Sequence, residues 1–165
     1  MMFKSLGATA VGMPVPAVPE ALSKGVIDAT VIPWEVTGAL KVPELVANHT
    51  EFGDASLYTT TFILGMNKDS WNKMPEALQK VLMEHSGADF SAMSGKQMQD
   101  DDAPGRAAAE KLGNNIITLN EEQIQEWRAA ADATVGEWIE TMKDKDIDGK
   151  ALMDDAKALI EKHSK

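Results

Sequence analysis

The hydrophobic pattern changes near residue 66. Before it, apolar residues come in short blocks; after it, they recur at three- and four-residue steps. Met1, Met2, Phe3 and Leu6 fit one face of a short helix that ends at Gly7. Residues 8–13 read as a short strand, followed by the turn Pro14-Val15-Pro16. Residues 17–24 predict a short helix, with Pro19 tolerated in its first turn and Gly25 suited to the C′ position. Residues 26–32 are almost continuously apolar, as a buried parallel strand is, and Pro33 stops them. A helical turn is expected over 35–40 and irregular chain over 42–53. Residues 57–66 hold Tyr58, Thr59, Thr60, Thr61, Phe62 and Ile63, the strongest strand signal of the chain.

From Asp69 the period is helical. Pro75 fits a first helical position, and Leu78, Val81, Leu82 and His85 follow on one face, which Phe90, Met93 and Met98 extend. Asp100-Asp101-Asp102 with Pro104 and Gly105 predicts a break and a restart, then a helix from Arg106 to Leu112 closed by Gly113. Ile116, Ile117 and Leu119 mark a short strand or extended link. Asn120 and Gln123 have the spacing of a capping box. Behind them Ile124, Trp127, Ala131, Val135, Trp138 and Met142 form one apolar stripe. Asp148 is placed to cap a last helix that faces Leu152, Ala156, Leu159 and Ile160 inward. The pattern therefore predicts a partial α/β lobe over residues 1–66 and a helical region over 67–165. Three widely spaced strands make a poor sheet alone, since parallel strands need neighbours and cover on both faces.

Composition narrows the chemistry. The 165 residues carry 26 acidic and 16 basic side chains, a net charge of −10, which disfavours nucleic acid and anionic lipid as partners. The absence of cysteine removes disulfides, thiolate metal sites and cysteine nucleophiles. No window approaches the length of a membrane span, and neither a basic n-region nor an apolar core of a signal peptide opens the chain.

His49, His85 and His163 lack metal-ligand spacing. The aspartates at 100–102 lack alternating oxygen ligands and read as a solvated helix junction. Asp144, Asp146, Asp148 and Gly149 fit the opening of a calcium loop, but Asp155 stands at the twelfth position in place of the usual Glu, so an Asp-capped helix link is the preferred reading. The chain has no Gly-x-Ser-x-Gly elbow and no phosphate loop, so an enzyme is not expected. Trp127, Trp138 and the ten methionines read as core. Ligands of open α/β sheets gather beyond the carboxyl ends of strands. That rule selects Trp34 and Val15 as candidate ligand-binding residues, joined by Tyr58 and Thr59 at the start of the third strand, with the helix starting near Ala17 available to a carboxylate, against the alternative of ordinary sheet packing.

The run Leu6-Gly7-Ala8-Thr9-Ala10-Val11-Gly12-Met13-Pro14, then Glu20-Ala21-Leu22-Ser23-Lys24-Gly25-Val26-Ile27-Asp28, is specific in combination. Ile32-Pro33-Trp34-Glu35, Leu57-Tyr58-Thr59-Thr60-Thr61-Phe62, Met66-Asn67-Lys68 and Met74-Pro75-Glu76-Ala77-Leu78-Gln79-Lys80-Val81 follow in order. The whole chain resembles the C-terminal half of the solute-binding proteins of TRAP (tripartite ATP-independent periplasmic) transporters. The resemblance implies an α/β, helix-rich fold of the periplasmic binding protein type II kind, here incomplete: one lobe plus C-terminal helices. It implies a periplasmic protein that closes on an organic acid, hands it to TRAP membrane subunits and catalyses nothing. The family's carboxylate-pairing arginine would lie in a segment before Met1.

Two departures bear on the solute. Many relatives carry Asp-Gly-Gln-Glu-Asn-Pro where this chain has Asp28-Ala29-Thr30-Val31-Ile32-Pro33, so Ile32 replaces a ligand-binding Asn and Val31 a Glu. A branch that holds a metal uses a Glu and a Trp there, so no metal or other cofactor is expected. Val15 stands where some relatives place a pocket phenylalanine. Fewer polar groups beside Trp34 predict a solute with one carboxylate and an apolar body. The alternatives are an inactive truncated fragment and a helical module that self-associates through its exposed faces as a homo-oligomer.

Overall fold

A computed structural model describes residues 2–163. Met1, placed on the face of the first helix by its spacing, lies outside the described residues. The chain is helix-rich with one small sheet. Eight helices occur among the described residues: α1 (Met2–Ser5), α2 (Val18–Ser23), α3 (Trp34–Thr37), α4 (Lys68–Lys73), α5 (Glu76–Glu84), α6 (Ala88–Lys111), α7 (Glu121–Lys143) and α8 (Gly149–His163). Two strands, β1 (Asn48–Glu51) and β2 (Asn115–Thr118), pair in parallel with Asn48 opposite Asn115 and Glu51 opposite Thr118.

The described residues fall into two compact units. One takes in the chain up to Gly12, Phe52–Leu57 and everything from Leu119 on. Its centre is Trp127, the second residue of the predicted stripe, with Phe3 and Phe52 each packed edge-on at centroid distances of 6.0 and 5.6 Å. The capping box forms as expected: Asn120 accepts from the Gln123 amide and Gln123 accepts from the Asn120 amide, both at 3.0 Å. Asp148 accepts from Ala151 N at 2.9 Å and so starts α8, the capping role read from the sequence. Gly149 is buried where a side chain would meet Met142 and the Ile139 backbone, so it lets α8 turn tightly back on α7.

The other unit takes in Met13–Glu51 and Tyr58–Thr118. Its core is the contact of α3 with α6, floored by β1 and β2. Ala109 is wholly buried on α6, and Val18, Ala21 and Val42 are buried on α2 and the turn Val42–Glu44.

Three strand predictions are corrected. Residues 8–13, 26–32 and 57–66 form no strand, while strands form at Asn48–Glu51, where irregular chain was expected, and at Asn115–Thr118. A strand is made by two backbones, and β propensity cannot supply the second. The 57–66 run has the better composition, yet Ile63 and Leu64 stand 89% and 90% exposed. The chain Asn48-His49-Thr50-Glu51 has poor composition but lies alongside residues 115–118. The break predicted at Pro104 is also absent: α6 runs through it for 24 residues. Proline there removes one helix hydrogen bond, and the packing of the next residue, Gly105, against α3 offsets that loss.

Candidate functional site

Pro33 is extended, and α3 starts behind it without a side-chain cap of its own. The cap comes from across the unit. Asp102 on α6 accepts from Glu35 N at 2.9 Å, so the third aspartate of the acidic run is a helix cap and not simply a solvated face. Asp100 pairs with Lys96 and Asp101 with Gln97, each one turn back. Thr37, buried, donates through Oγ1 to Trp34 O at 2.7 Å. Trp34 is thereby held at the start of α3.

The Trp34 ring stacks at a tilt on His49, centroids 4.9 Å apart. Glu51 lies two residues further along the same face of β1, close enough for the Trp34 side chain to help lower its pKa. Glu51 is the better-held group. Arg106 reaches it with a two-pronged fork, Nε to Oε2 at 3.0 Å and Nη2 to Oε1 at 3.1 Å. Thr118 donates to Oε1 at 2.7 Å. The Arg106 hydrogen bonds hold the Glu51 carboxyl below the usual carboxylate value, against the opposing effect of burial. The same pairing raises the Arg106 guanidinium well above its ordinary value.

His49 Nε2 lies 3.0 Å from Asn114 Nδ2, and that amide also donates to Pro43 O at 2.7 Å and Val46 O at 2.9 Å. The two hydrogens of that amide go to Pro43 O and Val46 O, so the His49 contact is a third close approach to the same nitrogen. Burial lowers the His49 pKa. Glu35 moves the other way, raised by burial and then by Asp102 and Asp101.

These shifts set a pH profile. Unfolded His49 takes a proton before the folded ring does, so stability falls as pH drops from about 6.5 through the lower folded value. Glu51 stabilises the fold above the ordinary carboxylate value, and that contribution is lost as pH falls through its depressed one. Glu35 opposes both, because protonation near and above 4.5 relieves its cost. Thermal melts from neutral to acid pH are expected to fall in two stages. Glu51→Gln is expected to cost about 1 kcal/mol at pH 7, or roughly 2–4 °C, after allowing for the exposed side of the pair. It should flatten the lower stage only; an unchanged lower stage would remove Glu51 from the account.

All five candidate ligand residues lie in this unit, but they are not alike. Trp34 is half-buried in the cluster just described and Ile32 half-buried beside it across Pro33. Val15 opens the 3-10 turn Val15–Ala17 and is exposed, as are Tyr58 and Thr59 in their extended run. The carboxylate-binding role predicted for the start of the second helix is weakened. Ala17 N and Val18 N already donate to Pro14 O and Val15 O, and Pro16 and Pro19 have no N–H to give. The open groove of about 420 Å3 lined by Pro43, Val46, Leu112 and Asn114 includes none of the five. The residues that sequence reading missed are His49, Glu51, Arg106 and Asn114. The hydrogen bonds that join them span 55 to 71 positions, so no local spacing could signal the cluster.

The chain matches the family model DctP, bacterial extracellular solute-binding protein, family 7, over residues 1–141. It belongs to that family, one of transport solute-binding proteins and not of enzymes. It is similar to a TRAP solute-binding protein from Rhodoferax ferrireducens T118, solved with copurified benzoate, at 43% identity and TM-score 0.94. The match covers 99% of this chain and 51% of that one. It is similar to a marine metagenome TRAP solute-binding protein specific for aromatic acid ligands, solved with metahydroxyphenylacetate, at 34% identity and TM-score 0.87, covering 99% of this chain and 52% of that one. A TRAP periplasmic solute-binding protein from Desulfovibrio salexigens matches at 29% identity and TM-score 0.71, over 98% of this chain and 50% of that one. The chain thus spans about half the length of the solved proteins it matches.

Proposed function

We propose that the chain forms part of the solute-binding component of a TRAP transporter and takes an aromatic monocarboxylate. The observation that carries this reading is the loss of polar groups around Trp34: Val31 and Ile32 precede it, and its ring stacks on His49. A pocket wall of Val15, Ile32, Trp34 and Tyr58 favours a flat apolar body, and Thr59 offers one hydroxyl. The ligands named for the relatives, benzoate and metahydroxyphenylacetate, have this form. In this reading residues 1–66 belong to the ligand-binding lobe and residues 67–165 to the helical region. Transfer to TRAP membrane subunits in the periplasm belongs to the same reading. No metal or other cofactor has a role in it.

Ligand-observed NMR on the chain tests it. Saturation transfer is expected to the ring protons of benzoate and 3-hydroxybenzoate, and to fall on Trp34→Ala. Transfer to succinate alone, or to none of the three, would overturn the proposal.

A further inference from the structure

The main chain of Trp34 and its ring are held by different groups. Asp102, Thr37 and Gly105 fix the start of α3, and with it the Trp34 main chain. None of them decides how the indole turns. The indole lies at 31° to the His49 ring, with centroids 4.9 Å apart, so His49 is the platform that sets its angle.

The platform is itself held at one atom. Its Nε2 stands 3.0 Å from Asn114 Nδ2. That amide has one orientation only. Its nitrogen donates to Pro43 O and Val46 O at 2.7 and 2.9 Å, and a flip would set the amide oxygen against both carbonyls. An amide nitrogen accepts no hydrogen bond. A neutral His49 with its proton on Nδ1 fits this place, because a bare Nε2 needs no acceptor. An imidazolium carries a proton on each nitrogen, and the one on Nε2 would face a nitrogen that does not take it. A cation over an indole face is favourable in itself, so it is Asn114 and not the stack that opposes the proton.

No charged neighbour offsets this. The elements packed around His49 carry Glu51 on β1, Glu35 on α3, Asp102 and Arg106 on α6, and Glu44 on the turn Val42–Glu44, while β2 carries no charge. Glu51 and Arg106 are engaged with each other, and Asp102 caps Glu35 N. Among the described residues none of the five hydrogen-bonds the His49 ring, whose pKa is lowered by burial alone.

We propose that His49 is the positioning residue of the Trp34 ring and acts only while neutral: on taking up a proton the imidazole turns away from Asn114, the indole loses its platform, and the aromatic acid is released. The release rests on the ligand reading above; the ring movement does not.

Two-dimensional NMR of the chain from about pH 7.5 to about pH 5 tests both. The Trp34 indole N–H signal, assigned with Trp34→Phe, is expected to move with the same midpoint as the His49 ring signal, below the ordinary histidine value. Trp127, in the other compact unit, should stay in place. One pH unit below the midpoint about a tenth of the chains keep His49 neutral, so benzoate affinity should fall about tenfold there. His49→Gln puts an amide that does not titrate where Nε2 stood, and both steps should vanish. Glu51 keeps its charge through this range, whereas Glu35 is raised towards it, so a step that survives His49→Gln would belong to Glu35 and overturn the proposal. A Trp34 signal that stays still through the His49 midpoint, or that moves together with Trp127, would overturn it as well. So would benzoate binding that keeps its strength through the step. A step in Trp34 without benzoate binding at neutral pH would overturn the aromatic-acid reading and uphold the ring movement.

Discussion

Gly105→Ala is expected to destabilise the unit built on α3 and α6 by about 3 kcal/mol or more, a fall of roughly 6–12 °C in melting temperature. A methyl at this position would overlap Trp34 O and lie 2.9 Å from both Trp34 C and Thr37 Oγ1. Two of those atoms are backbone, so no rotamer change relieves the overlap. The helices must part, and parting strains the Glu35 N to Asp102 bond of 2.9 Å and opens the wholly buried Ala109 to water. Helix propensity predicts the opposite sign, since alanine is better than glycine inside a helix by about 1 kcal/mol. Gly95 provides the internal control. It lies on the same helix, and a methyl there would have nothing within 4 Å, so Gly95→Ala should stabilise slightly. Urea denaturation of both variants checks the pair. If Gly105→Ala proved as stable as the parent, the close approach of α3 to α6 would be wrong. In the expected case Trp34 moves with α3, and under the proposed function aromatic-acid binding should fall in step with stability.

Asn114→Leu is expected to cost about 2–3 kcal/mol. Leucine is close to asparagine in size but removes the donors to Pro43 O and Val46 O, leaving two half-buried carbonyls without them. It also removes the contact to His49 Nε2. Asn115 N donates to Ala47 O at 2.8 Å directly beside this site, where the parallel pairing of β1 with β2 begins. Amide exchange at residues 115–118 should therefore accelerate in the variant, while α7, in the other unit, should keep its protection. Equal acceleration in α7 would show that the damage is global and that Asn114 is not a local clamp.

Local physics was legible along the chain. Gly7, Gly25 and Gly113 end their helices with φ of 82°, 64° and 76°, the left-handed geometry that the sequence placed at these stops. The Asn120–Gln123 box and the Asp148 cap are interactions across three residues, and short spacing is what a sequence displays. The 124–142 stripe could be read for the same reason, because its period follows from helix geometry.

Pairing was not legible. The residues at 26–32 and 57–66 have strand character and no strand, because whether a ladder forms depends on a second backbone lying alongside. The acidic run at 100–102 shows the same division. Its first two members act one turn away, as a sequence can suggest, while Asp102 caps α3 through Glu35, 67 positions earlier. Arg106 with Glu51, and Asn114 with Pro43 and Val46, likewise join residues far apart in the chain. By itself the sequence determined most of the helical stretches and their ends, the break predicted at Pro104 excepted, and the family to which the chain belongs. The tertiary structure alone decided which extended segments pair, and how Trp34 is held between His49, Glu51 and the shoulder of Gly105. Helix periods and caps are set within a few residues, whereas strand partners and buried polar contacts are set by packing across the whole chain.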